Sequence, residues 1–394
     1  MIMESTHILA SASENSAELT PELHKHQAII ARTLLFIEGV GITAWAPLVP
    51  LLKERTGLSE GHLGALLLGL GVGAALSMML IGRVYARLGC RSTILLSILL
   101  LFCPLPFLAT ATSLPIISAA LLIFGLGIGA IDGSANIWAM TVDQQSERAL
   151  MPGFHACFSI GGVISPTAVT LMLGIGLSAT TAAIIICSIC FAAVFYSARS
   201  LPTETTVNPT KSIAIPRGTV ILLGVIFFIV MLAEAVMRDW SGVFLTTNRG
   251  VSADVAGFGY VAFATFMMLF RFIGDRLIRI FGMYWVVAGG GLCAAVGIAI
   301  ALLIPSWEMA LVGFGLVGVG CSNVVPMVFT AAGKQHAMPL STAIPAVATV
   351  GYIGILGGPA VIGLIAQYSN LAIAMAALAV LMASILLCAR VMKD

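Results

Sequence analysis

The chain has 394 residues, 59% of them hydrophobic and only 9% charged, with a net charge of +2 and a mean hydropathy of +1.07. Soluble domains carry about a quarter charged residues, so a water-facing surface is excluded for most of this chain and its solvent is lipid. The small net charge gives no reason to expect a nucleic-acid partner.

In chain order, the first 27 residues are polar and hold Glu4, Glu14, Glu18 and Glu22. A secretory signal needs a basic start and a short apolar core, so residues 1–27 are expected to be a cytoplasmic tail. Twelve apolar runs follow, each near the length of about 20 residues that a helix needs to cross a bilayer. They fall at 28–52, 62–82, 92–112, 114–140, 149–173 and 176–198, then at 218–246, 254–278, 284–304, 307–333, 341–366 and 370–391. Between the sixth and seventh lies "RSLPTETTVNPTKSIAIPR", whose Pro, Thr and charge content reads as a linker. The expected class is an all-α membrane protein of two six-helix bundles, 28–198 and 218–394, joined by a cytoplasmic linker at 199–217. With the N-terminus inside, fifteen lysines and arginines collect on the inner side and four, Lys53, Arg55, Arg238 and Arg249, on the outer. That bias predicts both termini in the cytoplasm.

Seven of the eight cysteines, Cys187 and Cys190 of a CxxC among them, sit in apolar runs and read as small packing residues. There is no cluster of metal-ligand spacing, and "GKQH" at 333–336 lacks the upstream glycine and the Ser/Thr of a phosphate-binding loop. No metal, cofactor or enzymatic activity is expected, and transport energy would have to come from a gradient.

The two halves match at an offset of 193 residues. Gly57 falls on Gly250, Ser59 on Ser252, Gly64 on Gly257, Arg83 on Arg276 and Gly89 on Gly282. Gly125 and Gly127 fall on Gly318 and Gly320, Gly161 on Gly354 and Pro166 on Pro359. Parallel six-span repeats are a transporter construction with the substrate site at the repeat interface. The offset also shows what the halves do not share. Asp132 falls on Val325, Asn136 on Phe329 and His155 on Ala348.

Ionisable groups inside a bilayer cost about 2.5–3.5 kcal/mol on insertion scales and are functional candidates by default. Here they are Glu38 in span 1, Asp132 in span 4, His155 in span 5 and Glu234 in span 7. Asp132 and Asn136 are four apart and share a helix face. Burial favours the protonated form of a carboxyl, which suits proton loading, while an Asn suits a substrate hydroxyl or Asp132 itself. A structural Asp–Asn pair stays open. His155 is placed to relay a proton or bind substrate. Glu234 has Arg238 four residues on, so an ion pair is the plain alternative there. Trp45, Trp138 and Trp240 are candidates for stacking on a ligand or for the membrane interface. Asn323 and Tyr352 are polar candidates from the second half.

The loop "GRVYARLGCR" (82–91) resembles the signature loop of the major facilitator superfamily at Gly82, Arg87, Gly89 and Arg91, with Ala86 in place of the acid. Its second copy, "RFIGDRLIRIFG" (271–282), keeps Asp275 and Arg276. The resemblance implies that these residues, with Arg83, form inner-face gating loops, Asp275 pairing with a nearby arginine. It also implies that spans 1 and 7 line a central cavity. Within the superfamily the chain resembles the fucose–proton symporter-like branch and its bacterial relatives, which carry an acid, three residues, then Asn in span 4. "EAVMRDWSGVFL" (234–245) and "TVGYIGILGGPAVIGLIA" (349–366) look like spans 7 and 11 of those relatives. The helix 1 acid of that branch corresponds to Ala46, with Glu38 two turns earlier.

The resemblance implies a monomeric, multi-pass transporter of a bacterial inner membrane. It would move a small polar solute, a sugar or similar metabolite, with protons, by alternating access. A proton antiporter exporting an amphipathic compound is the other reading, to which "GILGGP" (354–359) and the 18 methionines would fit. A receptor that binds without transporting is a third.

Overall fold

Two glycines make the turns between the second and third and between the eighth and ninth apolar runs. In the computed structural model, which describes residues 21–146, 148–203 and 216–392, Gly89 has φ 81° and ψ 167°, and Gly282 has φ 78° and ψ 162°. Such angles belong essentially to glycine, and each reverses the path between two long helices. Most of the tail and linker segments, with Lys211 and Lys393, lie outside the described residues.

With these turns taken into account, twelve helical spans result. They are α1 (Lys25–Thr56), α2 (60–88), α3 (90–110), α4 (Leu114–Gln144), α5 (Met151–Gly174) and α6 (Ala179–Ala198), then α7 (Thr219–Arg249), α8 (258–281), α9 (283–303), α10 (Trp307–Lys334), α11 (Leu340–Tyr368) and α12 (Leu371–Met392). Four are interrupted. α1 breaks at Ala44–Pro47, α3 after Phe102 at Pro104, α8 at Ile273 and α10 at Ser322 and Asn323. Breaks in spanning helices are tolerated where protein, not lipid, surrounds the freed backbone. Among the described residues no strand occurs. Large apolar side chains such as Met79, Ile189, Phe195, Leu303 and Val380 point outward, as a lipid-facing surface requires.

The repeat is built into the backbone. Gly57 (φ 64°, ψ 23°) and Gly250 (φ 66°, ψ 20°) end α1 and α7 in the same left-handed conformation. Gly125 packs on the Leu70 carbonyl and Gly318 on the Phe263 carbonyl, contacts that are themselves 193 residues apart. Arg55 Nη2 and Nη1 donate to Leu108 O and Ala109 O at 2.9 Å, closing the end of α3. Arg249 donates to Ala301 O and Leu302 O at the end of α9, the offset partners of those carbonyls.

The halves meet along α2 with α11 and α5 with α8. Toward the face that carries Gly57 and Gly250 the contact is tight. Gly64 lies on Gly363, Gly71 on Leu356, Gly257 on Thr170 and Pro47, and Gly242 on Pro50. Gly61 N–H donates to Gln367 Oε1 at 3.0 Å. Small residues allow this approach of helix backbones.

Candidate functional site

Asp132 and Asn136 lie on the side of α4 turned toward the other half. The Asn136 amide Nδ2 donates to the Asp132 carbonyl at 2.8 Å and to Asp132 Oδ1 at 3.1 Å. The pair that the spacing suggested is therefore formed. It is not isolated. Glu38, buried to 2% exposure in α1, places its carboxyl next to that of Asp132. Ionised carboxylates only accept, so a hydrogen bond between these two would require one of them to be protonated. Glu38 Oε2 has no donor among the described residues.

From the other half, Tyr352 of α11 donates its hydroxyl to Asp132 Oδ2 at 3.4 Å. His155 of α5 is exposed and lies within electrostatic range of both Asp132 and Arg271. Four groups from α1, α4, α5 and α11 thus surround one carboxyl. Three were separate candidates in the sequence, and Tyr352 was a fourth from the second half.

A second group of charges belongs to the C-terminal half. Arg238 and Asp239 form a two-point ion pair, Nε to Oδ1 and Nη2 to Oδ2, each 2.9 Å. The Glu234–Arg238 pair that the i,i+4 spacing offered is not made within 4.0 Å. Glu234 is instead within electrostatic range of Arg238 and Arg271, and its Oε1 is buried without a donor among the described residues. Arg271, in the last turn before the break in α8, donates Nη1 to Ser159 Oγ of α5 at 3.2 Å and Nε to Ser322 O at 3.3 Å.

Arg271 was counted in the sequence only as an inner-side cation. The repeat held the missing signal, because Arg271 falls on Met78 and so is as unpaired by symmetry as Asp132.

Other candidates are held elsewhere. Trp45 and Trp240 are fully buried, Trp45 against Phe124 and Trp240 donating Nε1 to Pro359 O at 3.1 Å. Trp138 is buried at 4% exposure. Asn323 lies against Gly274 and donates to Phe270 O at 3.0 Å and Ser322 Oγ at 2.9 Å, so its amide serves the break in α10. In "GILGGP", Gly354 meets the backbone of Phe228 and Gly358 meets Leu232, which makes this a packing motif for α7 on α11. Of the signature loops, Gly82 is half-buried, and Arg83, Arg87, Asp275 and Arg276 are exposed. Gly89 sits under the Thr203 carbonyl, and Arg91 N–H donates to Pro202 O at 3.2 Å. Among the described residues Asp275 forms no ion pair within 4.0 Å.

Among the described residues, three hydrogen bonds join the halves: Gly61 to Gln367, Tyr352 to Asp132 and Arg271 to Ser159. None lies closer to the Gly89 and Gly282 face than the last two. His155, within electrostatic range of Asp132 and Arg271, is exposed.

Residues 33–241, more than half of the chain, match the model of the Major Facilitator Superfamily. The chain belongs to the major facilitator superfamily. It is a multi-pass membrane transporter of a bacterial kind and not an enzyme. An uncharacterised MFS-type transporter of Yersinia pestis is 44% identical over 366 residues, 92% of this chain and 95% of that one. Among solved folds, a mutant form of the nucleoside transporter NupG superposes with a TM-score of 0.72 at 15% identity, over 93% of this chain and all of that one. The MFS transporter FucP, in its outward conformation, gives 0.59 at 16% identity, over 93% and 98%. These likenesses give the twelve-helix, two-bundle fold of a superfamily member.

Proposed function

We propose that this superfamily member is a proton-coupled transporter of a small polar solute, a sugar or a metabolite of similar size, working by alternating access in a bacterial inner membrane. The observation that carries the reading is the Glu38–Asp132 carboxyl pair in the cleft between the halves. Two carboxyls sharing a proton titrate as a pair. They face His155 from α5, Asn136 from α4 and Tyr352 from α11, so each proton gained or lost is felt across the cleft.

The coupling follows from charge. With one shared proton the pair bears one negative charge, and the bond from Tyr352 is charge-assisted. A second proton neutralises the pair, weakens that bond and frees α11 to separate from α4. The glycine seam at the Gly57 face then opens while the Gly89 face closes. The units that rock are 28–198 and 218–394, with 199–217 as linker and 1–27 as tail. The Lys/Arg bias puts both termini in the cytoplasm, so the Gly57 face is outer and the cleft is inward-open. Polar groups around Asp132, and the nucleoside that the similar NupG is named for, support a polar solute over an amphipathic drug. "GILGGP" packs α11 on α7, which is the plain reading of its glycines.

Asp132→Asn tests this in proteoliposomes, after a thermal-shift screen of sugars, sugar acids, amino acids and drugs has supplied a substrate. Accumulation driven by a pH gradient should be lost while exchange of labelled for unlabelled substrate persists. Full gradient-driven accumulation by Asp132→Asn would remove Asp132 as the proton carrier.

A further inference from the structure

The cleft holds a guanidinium, that of Arg271, which no carboxylate among the described residues touches, although Glu234 lies within its electrostatic range. Among the described residues Arg238 has Asp239, but Arg271 forms no ion pair within 4.0 Å. Its Nε is committed to Ser322 O and its Nη1 to a neutral hydroxyl, Ser159 Oγ, on the opposite half. No hydrogen bond is made by its Nη2 among the described residues. Arg271 is half-buried, and the exposed His155 lies within its electrostatic range. His155 is also within electrostatic range of Asp132, which with Asn136 and Tyr352 offers acceptors and donors for hydroxyls.

We infer that Arg271 binds the carboxylate of a hydroxylated monocarboxylic acid, with His155 beside it and the hydroxyls directed to Asn136 and Asp132. The planar guanidinium fork matches a carboxylate at two points, and such charge-assisted bonds are about twice as strong as neutral ones. One guanidinium suits one negative charge. Glu38, Asp132 and Glu234 surround the cleft, so a phosphate dianion would meet repulsion that a monocarboxylate largely escapes. The site is also coupled to motion. The incoming carboxylate competes with Ser159 for Nη1, so binding loosens the α5–α8 bond between the halves just as protonation loosens that of Tyr352. This rests on the reading that the cleft is the transport site, and it narrows the solute from polar to acidic.

The test uses the purified full chain and matched probes: galacturonate against galactose, and glucuronate and gluconate against glucose, followed by calorimetry and thermal shift. The acids should bind and their neutral parents should not. Arg271→Gln should weaken acid binding by about tenfold or more, the scale of one lost charge-assisted contact. Arg271→Lys, which keeps the charge but not the fork, should fall between and also serves if the Gln variant does not fold. Ser159→Ala should keep acid binding, since it removes only the competitor. Equal binding of the neutral sugars, acid binding that survives Arg271→Gln, or no binding of any acid would each overturn the inference. Acid binding without pH-driven transport would sink proton coupling and leave this site standing. Driven transport of neutral sugars unchanged in Arg271→Gln would do the reverse.

Discussion

Arg238 and Asp239 are adjacent in sequence, yet their side chains meet in a two-point ion pair with Asp239 only 1% exposed. Breaking a buried pair leaves one charge uncompensated, at about 3–5 kcal/mol, whereas replacing both partners by apolar groups is often neutral. Arg238→Met alone should therefore lower the thermal unfolding temperature of the detergent-solubilised protein strongly. Arg238→Met with Asp239→Leu should recover most of the loss. A double variant as unstable as the single one would show that the pair is not what holds this part of α7. The i,i+4 rule had pointed Arg238 at Glu234, and the rule fails here because a neighbouring carboxylate offers both oxygens to the guanidinium. Helix spacing did read the Asp132–Asn136 pair, since both partners lie on one helix. It could not bring Glu38 to Asp132, 94 positions along the chain, because that contact depends on how α1 packs beside α4. For Arg271 the asymmetry of the repeat was available and was the better guide.

At the level of elements, the twelve spans were legible to within a few residues, because lipid demands about 20 apolar residues at each crossing. What could not be read was how abruptly they turn. A loop seemed to be needed at 83–91, but helix runs on to Leu88 and Gly89 alone makes the turn. Gly282 does the same for α8 and α9. An alanine in this backbone region is strained by about 1–3 kcal/mol, so Gly89→Ala and Gly282→Ala should both lower the unfolding temperature. The first should lower it more, because a Cβ at Gly89 meets the Thr203 carbonyl while one at Gly282 meets nothing. Equal losses would argue that Thr203 yields easily.

For the whole molecule, the seam at the Gly57 face determines which side of the cleft is shut. Gly64 lies directly on Gly363 and the Ala360 carbonyl, with no room for a side chain. Gly64→Leu should prop α2 away from α11. Spin labels at the exposed positions Glu54 and Ser252, both at that face, should then report a longer distance than in the unsubstituted seam. An unchanged distance distribution would mean that the halves close there by other contacts.

The same face has a further property. Its four cations are all engaged: Lys53 with Glu60 at 3.2 Å, Arg238 with Asp239, and Arg55 and Arg249 on the carbonyl ends of α3 and α9. Helix C-termini carry partial negative charge. In the proposed orientation, these are the cations that biosynthesis must carry outward against an inside-negative potential, at about 2.3 kcal/mol per elementary charge for each 100 mV. Once the segments have folded, Lys53 and Arg238 are paired with carboxylates, and Arg55 and Arg249 are partly offset by helix-end carbonyls. The outer face of the folded protein is therefore less positive than a count of its lysines and arginines conveys.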